Sequence, residues 1–500
     1  MPNEELIHYK TCIFHDIKEH TPDIQLNLPD YYPDVCRILT CQANAYIENC
    51  KNEGDRITIE GIIVYRLLYC SDSKTVHLYE AEQRFTKTFE CSGLPTDAII
   101  DCRLKNVNVN FRAIGPRRVD VKSTVSVTAE VFELKKIPTV GEFSEGVECL
   151  QREYELFDVR ACYSGSFTVD EIFTVQDERI ADCRLLFESS KINITEIKTV
   201  KDKILIKGVA ELNCTFLHTK DFTLIKYSEN VPFTQIVDLY GITESDRCHI
   251  VADPQRLTLT VKDTGECSMQ LCVRITICAG APKTITVVSD LFAPGFSFET
   301  RQFDGRMQQG IKNISDTFQC SAKSEGGDFS EAKIQSVQAI DLSYNAKLAQ
   351  GLIKIDGQVT LGILLQADDE LQFCTRYLPF EYSREIGDAA GGDFICTVNC
   401  QNPTCSNTAQ GLILKAEIEL YGFCVTEEAV AFAENCILGE RCSAEKEFET
   451  ITMYFAHHGE NIWDIAKKNN VPVQLLKTAN EVAADVIESD CVLILIGAEG

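Results

Sequence analysis

Positive charge is scarce in this sequence. Across 500 residues, 48 lysines and arginines stand against 75 aspartates and glutamates, which gives a formal net charge of −27. Contacts with nucleic-acid phosphates and with anionic membrane surfaces need clustered basic side chains. The composition therefore argues against nucleic acid and against an acidic membrane surface as partners.

Long hydrophobic runs are also missing. The run over residues 62–69 contains Arg66 and falls well short of the ~18 apolar residues that a membrane helix needs. The first residues, 1–5, carry neither the basic nor the apolar region of a secretory signal. We therefore expect no membrane span and a chain that stays in the cytosol.

The sequence lacks the short motifs of common enzyme chemistry. It has no glycine-rich phosphate loop, no Gly-x-Gly-x-x-Gly after a strand, no His-Glu-x-x-His and no Gly-x-Ser-x-Gly. The one local histidine pair, His457-His458, should point apart, since adjacent side chains on a strand or tight loop do so. We predict that the chain is not an enzyme and uses no cofactor or metal.

Cysteine is plentiful at 24 residues, but no Cys-x-x-Cys pair occurs. The densest group, Cys396, Cys400 and Cys405, lacks the two close ligand pairs that are usual around zinc. Reduced thiols on strands in a reducing compartment are one interpretation. Cross-links that form once the chain meets oxidising conditions are the other.

An internal repeat organises most of the chain. The pattern Ile-x-Ile-x-Gly occurs at residues 57–61, 204–208 and 353–357, at a nearly constant spacing. A small, a basic and an aliphatic residue precede each copy in register, at residues 36–38, 183–185 and 332–334. A phenylalanine follows each copy, also in register, at Phe85, Phe233 and Phe380. Three landmarks in common order predict three copies of one structural unit.

Each copy is predicted to be all-β. Alternating runs rich in β-branched and aromatic residues are typical of half-buried strands, and turn signals before the last run of each copy predict a hairpin. In the first copy the strands should cover residues 42–48, 56–69, 76–81, 83–90, 99–113 and 119–133. Antiparallel sheets of this size favour a β-sandwich. The repeated glycine lies within a strand, which predicts a bulge or a close backbone approach.

Pattern lapses divide the chain into units. We predict β repeats over residues 1–134, 153–279 and 297–426, an acidic linker over 427–450 and a small βααβ domain over 451–497. The fold class is thus mainly β, with three tandem sandwich-like repeats and a C-terminal βααβ unit.

The C-terminal unit begins with a short β run over residues 452–455 and then forms a helix. Asn461 is a suitable N-cap, and Asp464 places a carboxylate in the first helical turn. A break over residues 469–472 separates a second helix, and residues 492–496 form the closing strand.

This β-α-α-β unit resembles the LysM module. The resemblance implies a groove for N-acetylglucosamine polymers between two loops, which here contain Gly459, Glu460, Asn461 and Ile487. The second loop departs from the usual Pro-Gly turn, because Glu488-Ser489-Asp490-Cys491 stands there.

Apolar residues of the same unit suggest a protein partner instead. Ile462 and Trp463 are adjacent on the helix and cannot both face one core wedge, so one of them should be partly exposed. Ile451 heads an alternating set with Met453 and Phe455 on the first strand. Ile451, Ile462 and Trp463 are therefore the predicted partner-binding residues, with core packing of Trp463 as an open alternative.

Residues 28–38, read as LPDYYPDVCRI, and the repeated Ile-x-Ile-x-Gly carry a family likeness. With three β copies and a LysM-like end, it resembles the SipL-like clostridial spore coat morphogenesis proteins, which carry tandem SPOCS domains and a C-terminal LysM domain.

The resemblance implies a non-enzymatic scaffold in the mother-cell cytoplasm, at the forespore surface and in the spore coat. Its expected partners are the coat basement-layer ATPase, docked through the LysM domain, and other coat proteins, with a role in coat localisation and engulfment. The alternative function is binding of peptidoglycan or cortex.

Overall fold

The computed structural model describes residues 6–139, 141–218, 223–262, 264–324, 332–367, 370–387, 391–408, 411–441 and 452–495. Antiparallel sheets make up most of it, and its two α-helices lie near the C-terminus. The predicted mainly-β class is confirmed. Within these residues, neither α-helix has the length and apolar character needed to cross a membrane.

Repeat 1 is built from β1 (Leu6–His20), β2 (Asp23–Asn27), β3 (Arg37–Asn52), β4 (Arg56–Cys70), β5 (Val76–Glu90), β6 (Ile99–Gly115) and β7 (Arg118–Pro138). One sheet has the order β3-β4-β5. In the other, β7 pairs with β6 and with β1 and β2. Val125, Val127 and Ala129 alternate along β7 with more exposed residues and lie in the core between the two sheets.

Repeat 2 follows β8 (Glu142–Phe143) and contains β9 (Glu148–Thr174), a single 3-10 turn (Ile180–Asp182), β10 (Cys183–Val200), β11 (Lys203–His218), β12 (Leu224–Asp238), β13 (Arg247–Val261) and β14 (Glu266–Phe292). Its sheets have the orders β10-β11-β12 and β9-β14-β13. Leu212 and Leu271 belong to the core that these sheets enclose.

Repeat 3 is built from β15 (Phe296–Ser324), β16 (Lys333–Ala349), β17 (Leu352–Ala367), β18 (Glu370–Glu385), β19 (Gly391–Thr408) and β20 (Gly411–Arg441). Its sheets have the orders β16-β17-β18 and β15-β20-β19. Ile363 and Ile418 lie in its core. All three repeats thus share one arrangement of two facing antiparallel sheets.

The C-terminal unit consists of β21 (Thr452–Ala456), α1 (Ile462–Asn469), α2 (Val473–Ala479) and β22 (Cys491–Leu495). Asn461 caps α1 as predicted, since its side chain accepts a hydrogen bond of 2.8 Å from the backbone N–H of Trp463. β21 and β22 pair antiparallel. The βααβ order is therefore present in the structure.

The repeated glycine and phenylalanine are partners across neighbouring strands. Gly61 pairs with Phe85, Gly208 with Phe233 and Gly357 with Phe380. A Cβ on Gly208 would lie 2.5 Å from the Phe233 ring and 2.7 Å from the carbonyl oxygen of Asn193. Only a residue without a side chain leaves room for the ring there, so the two sequence landmarks form one structural feature.

Strands are longer than the sequence pattern predicted. β1 was missed, and residues 76–90 form the single strand β5 where two strands were predicted. β14 and β20 continue past the predicted repeat ends, so residues 427–441 of the predicted acidic linker are strand. The remaining linker residues, 442–450, lie outside the described residues.

Pairing beyond the sandwiches explains these extensions. Beyond the predicted repeat ends, β14 pairs with β9 and β20 pairs with β15. These two strand pairs meet where Val288 of β14 pairs with Ala433 of β20. Apolar side chains from all three repeats pack together in this region, namely Ile7, Ile137, Tyr154, Leu156, Ile285, Val287, Met307, Val430 and Phe432. Burial of this second core stabilises strand residues that have no sandwich to cover them.

A third apolar cluster joins the repeats at their three-stranded sheets. Leu68 of repeat 1, Leu217 of repeat 2 and Leu364 of repeat 3 are all buried in it. Polar contacts reinforce the junction, because Arg66 of repeat 1 forms an ion pair with Glu188 of repeat 2 at 2.5 Å. The three repeats therefore pack against one another as well as following one another in sequence.

Candidate docking surface

Within the described residues, the two-stranded sheet of the C-terminal unit has one covered face and one exposed face. Ala456, Leu493 and Leu495 point inward, into a core shared with α1 and α2. Met453, Phe455, Val492 and Ile494 point outward, and we call these four side chains the outer face. Met453 is the cross-strand partner of Ile494, and Phe455 that of Val492, so the four share one side of the sheet.

The outer face is strongly exposed. Phe455 is 70% and Met453 is 64% accessible to solvent. Contiguous apolar side chains that are exposed to solvent are characteristic of interaction sites. Ile451, which precedes Met453 in the alternating pattern, lies outside the described residues.

Trp463 and Ile462 are both buried, which corrects the prediction that one of them is partly exposed. Ile462 lies in the unit's own core. Trp463 is covered by repeat 2, because its indole N–H donates to the Asp290 carboxylate at 2.8 Å and its ring forms a T-shaped pair with Phe292 at a centroid distance of 5.0 Å. Asp290 and Phe292 of repeat 2 thus cover the side of Trp463 that the C-terminal unit does not.

Asp290 is the centre of this contact between repeat 2 and the C-terminal unit. Lys467 also donates to its carboxylate, at 2.6 Å. Burial raises the pKa of Asp290, but the hydrogen bonds from Lys467 and Trp463 outweigh it, so the pKa lies below its ordinary value. The charged form of Asp290 therefore holds α1 against the end of β14.

Backbone hydrogen bonds join the two loops that contain the predicted glycan-binding residues. The backbone N–H of Gly459 donates to the carbonyl of Ile487 at 2.8 Å, and that of Ile487 donates to the carbonyl of Glu460 at 2.9 Å. These hydrogen bonds fix Gly459, Glu460 and Ile487 as neighbours at one end of the unit.

Polar groups on these loops already have partners within the chain. The Glu460 carboxylate accepts from the backbone N–H of His457 at 2.8 Å and from the Tyr454 hydroxyl at 3.0 Å, and both hydrogen bonds lower its pKa. Asp490 accepts from the backbone N–H of His458 at 2.8 Å, which lowers its pKa as well. Both carboxylates thus accept hydrogen bonds from within the C-terminal unit, which leaves them less available to hydrogen-bond a sugar.

Buried charged groups hold repeats 1 and 2 together, and the sequence pattern did not reveal them. Asp101 of β6 accepts from Arg274 of β14 and from the Ser164 hydroxyl of β9 at 3.0 Å. Burial raises the pKa of Asp101, but Arg274 and Arg103 lower it by more than burial raises it. The pKa therefore lies below its ordinary value. Its only sequence signal is a charged residue inside an alternating strand.

The cysteine cluster of repeat 3 belongs to the packed interior. Cys396, Cys400 and Cys405 all pack against the repeat 3 core. Burial raises the pKa of Cys396 and Cys400 to about 12 and that of Cys405 to about 11. Across the part of the chain that the structure describes, no group of three or more histidine, cysteine, aspartate or glutamate side chains has an arrangement able to hold a metal ion.

The fold and its surfaces thus define a protein of tandem β-sandwich repeats with a small appended module. The family model described as SipL, SPOCS domain matches residues 34–112 and 184–262, so the chain carries two tandem SPOCS domains. The matches cover β3 to most of β6 in repeat 1 and the corresponding strands β10 to β13 in repeat 2. Repeat 3 lies outside both matches, although its strands pair in the same order.

No curated protein and no solved structure matches the chain. The two SPOCS matches indicate a sporulation-related coat protein.

Proposed function

We propose that the chain is a non-enzymatic spore-assembly scaffold that binds a protein partner through the outer face of its C-terminal unit. The partner that we propose is the coat basement-layer ATPase at the forespore surface in the mother-cell cytoplasm. Through this contact the chain would help to localise coat proteins and to complete engulfment. The carrying observation is the exposure of the apolar outer face among the described residues, with Phe455 70% exposed.

The geometry of the outer face supports a protein partner. Two cross-strand pairs, Met453 with Ile494 and Phe455 with Val492, offer adjacent apolar side chains on a short sheet. Flexible methionine and aromatic side chains are enriched in protein interfaces. Ile451 continues the sequence alternation of Met453 and Phe455 and stays a predicted partner-binding residue.

Ile462 and Trp463 support this surface from behind in our proposal. Ile462 fills the core beneath the sheet, while Trp463 anchors the unit to Asp290. We therefore expect substitutions there to act by displacing the unit and not by removing a direct contact.

The three packed repeats supply the rigid part of the scaffold. The apolar junction that contains Leu68, Leu217 and Leu364 and the ion pair between Arg66 and Glu188 hold them in one arrangement. Such a body can present the C-terminal unit at a fixed site while other coat proteins bind the repeats.

The test is a binding assay with the purified full chain, the purified basement-layer ATPase and, separately, purified peptidoglycan. We expect the wild type to bind the ATPase and Phe455→Asp to lose at least tenfold in affinity. Ile172→Asp is the matched control, because Ile172 is an equally exposed apolar residue, at 65%, on repeat 2.

Two results would overturn the proposal. One is equal ATPase binding by the wild type and Phe455→Asp. The other is retention on peptidoglycan that Glu460→Ala reduces while the ATPase is not bound, because this would place the function in the glycan loops.

A further inference from the structure

Two pairs of cysteines lie with their sulfur atoms almost in contact. The Sγ atoms of Cys50 and Cys102 are 3.2 Å apart, and those of Cys162 and Cys278 are 3.6 Å apart. A disulfide needs a sulfur separation of about 2.05 Å, so side-chain rotation and small shifts of roughly 1 to 1.5 Å would close either pair. All four thiols are unbridged in the structure.

The first pair spans the sandwich of repeat 1. Cys50 lies on β3 in one sheet, and Cys102 lies on β6 in the other. The two residues are 52 positions apart in sequence. A bond between them would tie the two sheets of the sandwich covalently.

The second pair lies on neighbouring strands of repeat 2. Cys162 of β9 and Cys278 of β14 are directly opposite each other in the sheet. Both line a cavity of about 380 Å³ whose walls come from all three repeats, with Lys10 from repeat 1 and Asp393 from repeat 3 on its other sides. A small molecule inside this cavity would meet the two sulfur atoms.

Each pair has one thiol that ionises more readily than the other. The hydrogen bond between the two thiols lowers the pKa of Cys50 and raises the pKa of Cys102. Cys162 and Cys278 show the same asymmetry, with the pKa of Cys162 lowered. The thiolate is the form of cysteine that reacts with oxidants and disulfides.

We propose that Cys50 with Cys102 and Cys162 with Cys278 are redox modification sites, which a hydroperoxide closes into two intramolecular disulfides. In each pair, the thiolate attacks one oxygen of hydrogen peroxide and becomes a sulfenic acid, and the departing hydroxide takes up a proton to form water. The second thiol then attacks the sulfenic sulfur. The new S–S bond forms, and the hydroxyl group leaves with the thiol proton as a second water. Each pair thus loses two protons and two electrons to one peroxide molecule.

These bonds would act inside one chain and not between chains. Each bond would cross-link strands that already pack together, so the native structure needs little rearrangement. Cross-links of this kind stabilise a fold mainly by restricting the unfolded chain. The inference does not depend on the partner of the C-terminal unit.

The experiment uses the reduced full chain, treated with hydrogen peroxide, with remaining thiols alkylated in denaturant and the digest mapped by mass spectrometry without reductant. We expect two cross-linked peptides, Cys50 with Cys102 and Cys162 with Cys278. Cys50→Ser should remove the first only and Cys162→Ser the second only. Cys272→Ser, on β14 but outside both pairs, should remove neither.

The exposed thiols of Cys12, Cys36 and Cys491 serve as internal gauges of the peroxide dose. Oxidation should also raise the midpoint of thermal unfolding in the wild type and not in the Cys50→Ser/Cys162→Ser double variant. The inference fails if the exposed thiols are fully oxidised while all four paired cysteines remain alkylatable. It also fails if the disulfides found join different chains or random cysteines.

Discussion

Phe85 inside repeat 1 and Phe455 on the C-terminal unit occupy similar local patterns but opposite environments. Both lie on antiparallel strands, with Phe85 facing Gly61 and Phe455 facing Val492. Phe85 is 6% exposed, whereas Phe455 is 70% exposed. A second sheet covers the first side chain, and no described element covers the second. The contrast separates the packed interior of a repeat from an apolar surface that is exposed to solvent and available to a partner.

The largest effect should come from the buried ion pair between repeats 1 and 2. Arg66→Ala leaves the Glu188 carboxylate, 8% exposed, without its cation, and we expect a loss of about 3–5 kcal/mol in the free energy of unfolding. Denaturant unfolding measures it. Arg84→Ala, which removes an exposed partner of Glu48, is the control and should cost at most about 1 kcal/mol.

A double variant sharpens that prediction. Replacing both partners, as in Arg66→Met/Glu188→Leu, removes the stranded charge and should recover most of the lost stability. If Arg66→Ala is no more damaging than Arg84→Ala, the junction between the repeats does not rest on this pair.

The next largest effect concerns the interior glycines. Gly208→Ala forces a methyl group against the Phe233 ring and the Asn193 carbonyl, so we expect it to destabilise the chain by about 1–3 kcal/mol. At Gly310, the corresponding Cβ would make only an ordinary contact of 3.6 Å with Thr426. Gly310→Ala should therefore leave the unfolding midpoint nearly unchanged, and an equal loss in both variants would contradict the close-approach explanation.

A smaller effect is expected where the two regions meet. Asp290→Ala removes the acceptor of Trp463 and Lys467, which should weaken the attachment of the C-terminal unit by on the order of 1 kcal/mol. Trp463 is the only tryptophan, so its fluorescence should shift to longer wavelength as water reaches it. Asp485→Ala, on the exposed side of the same unit, should leave the emission unchanged.

The same contact should depend on pH. Because the pKa of Asp290 is lowered in the folded chain, its contribution is complete above the ordinary carboxyl pKa of about 4 and is lost as the pH falls through the lowered value. A fluorescence titration should show this acid transition in the wild type, and Asp290→Asn should abolish it. An identical transition in Asp290→Asn would assign it to other groups.

The smallest effect on stability should come from the outer face. Phe455→Asp replaces a side chain that is already in water, so we expect the free energy of unfolding to change by no more than about 0.5 kcal/mol. Together with the loss of partner binding, this result would set the outer face apart from the interior. A large destabilisation would mean that Phe455 is covered in solution.

Local patterns predicted much of the fold because their physical causes are local. Alternation along residues 119–133 predicted β7, and Asn461 predicted the start of α1, since a strand face and a helix cap each depend on a few neighbouring residues. The repeated landmarks predicted three like units, and the two SPOCS matches fall on the first two of them. The pattern failed at β1 and at the ends of β14 and β20, where strands form because distant ribbons pair with them.

Local sequence patterns predicted only one of the two strands that form the outer face. The alternation of Met453 and Phe455 marked one strand of the outer face, but Val492 and Ile494 joined it only through the register of β21 with β22. Trp463 was ambiguous because its cover, Asp290 and Phe292, lies in another repeat. The contribution of Ile451 stays a prediction.

By itself, the sequence determined the mainly-β class, the threefold repetition and the order of the C-terminal unit, because periodicity, turn residues and caps act over short distances. The tertiary structure alone decided which apolar faces are covered, which charges from different repeats meet and which cysteines lie in pairs. Those outcomes depend on contacts between residues far apart in the chain, and no local pattern encodes the distance between Cys162 and Cys278 or the shelter that Asp290 gives to Trp463.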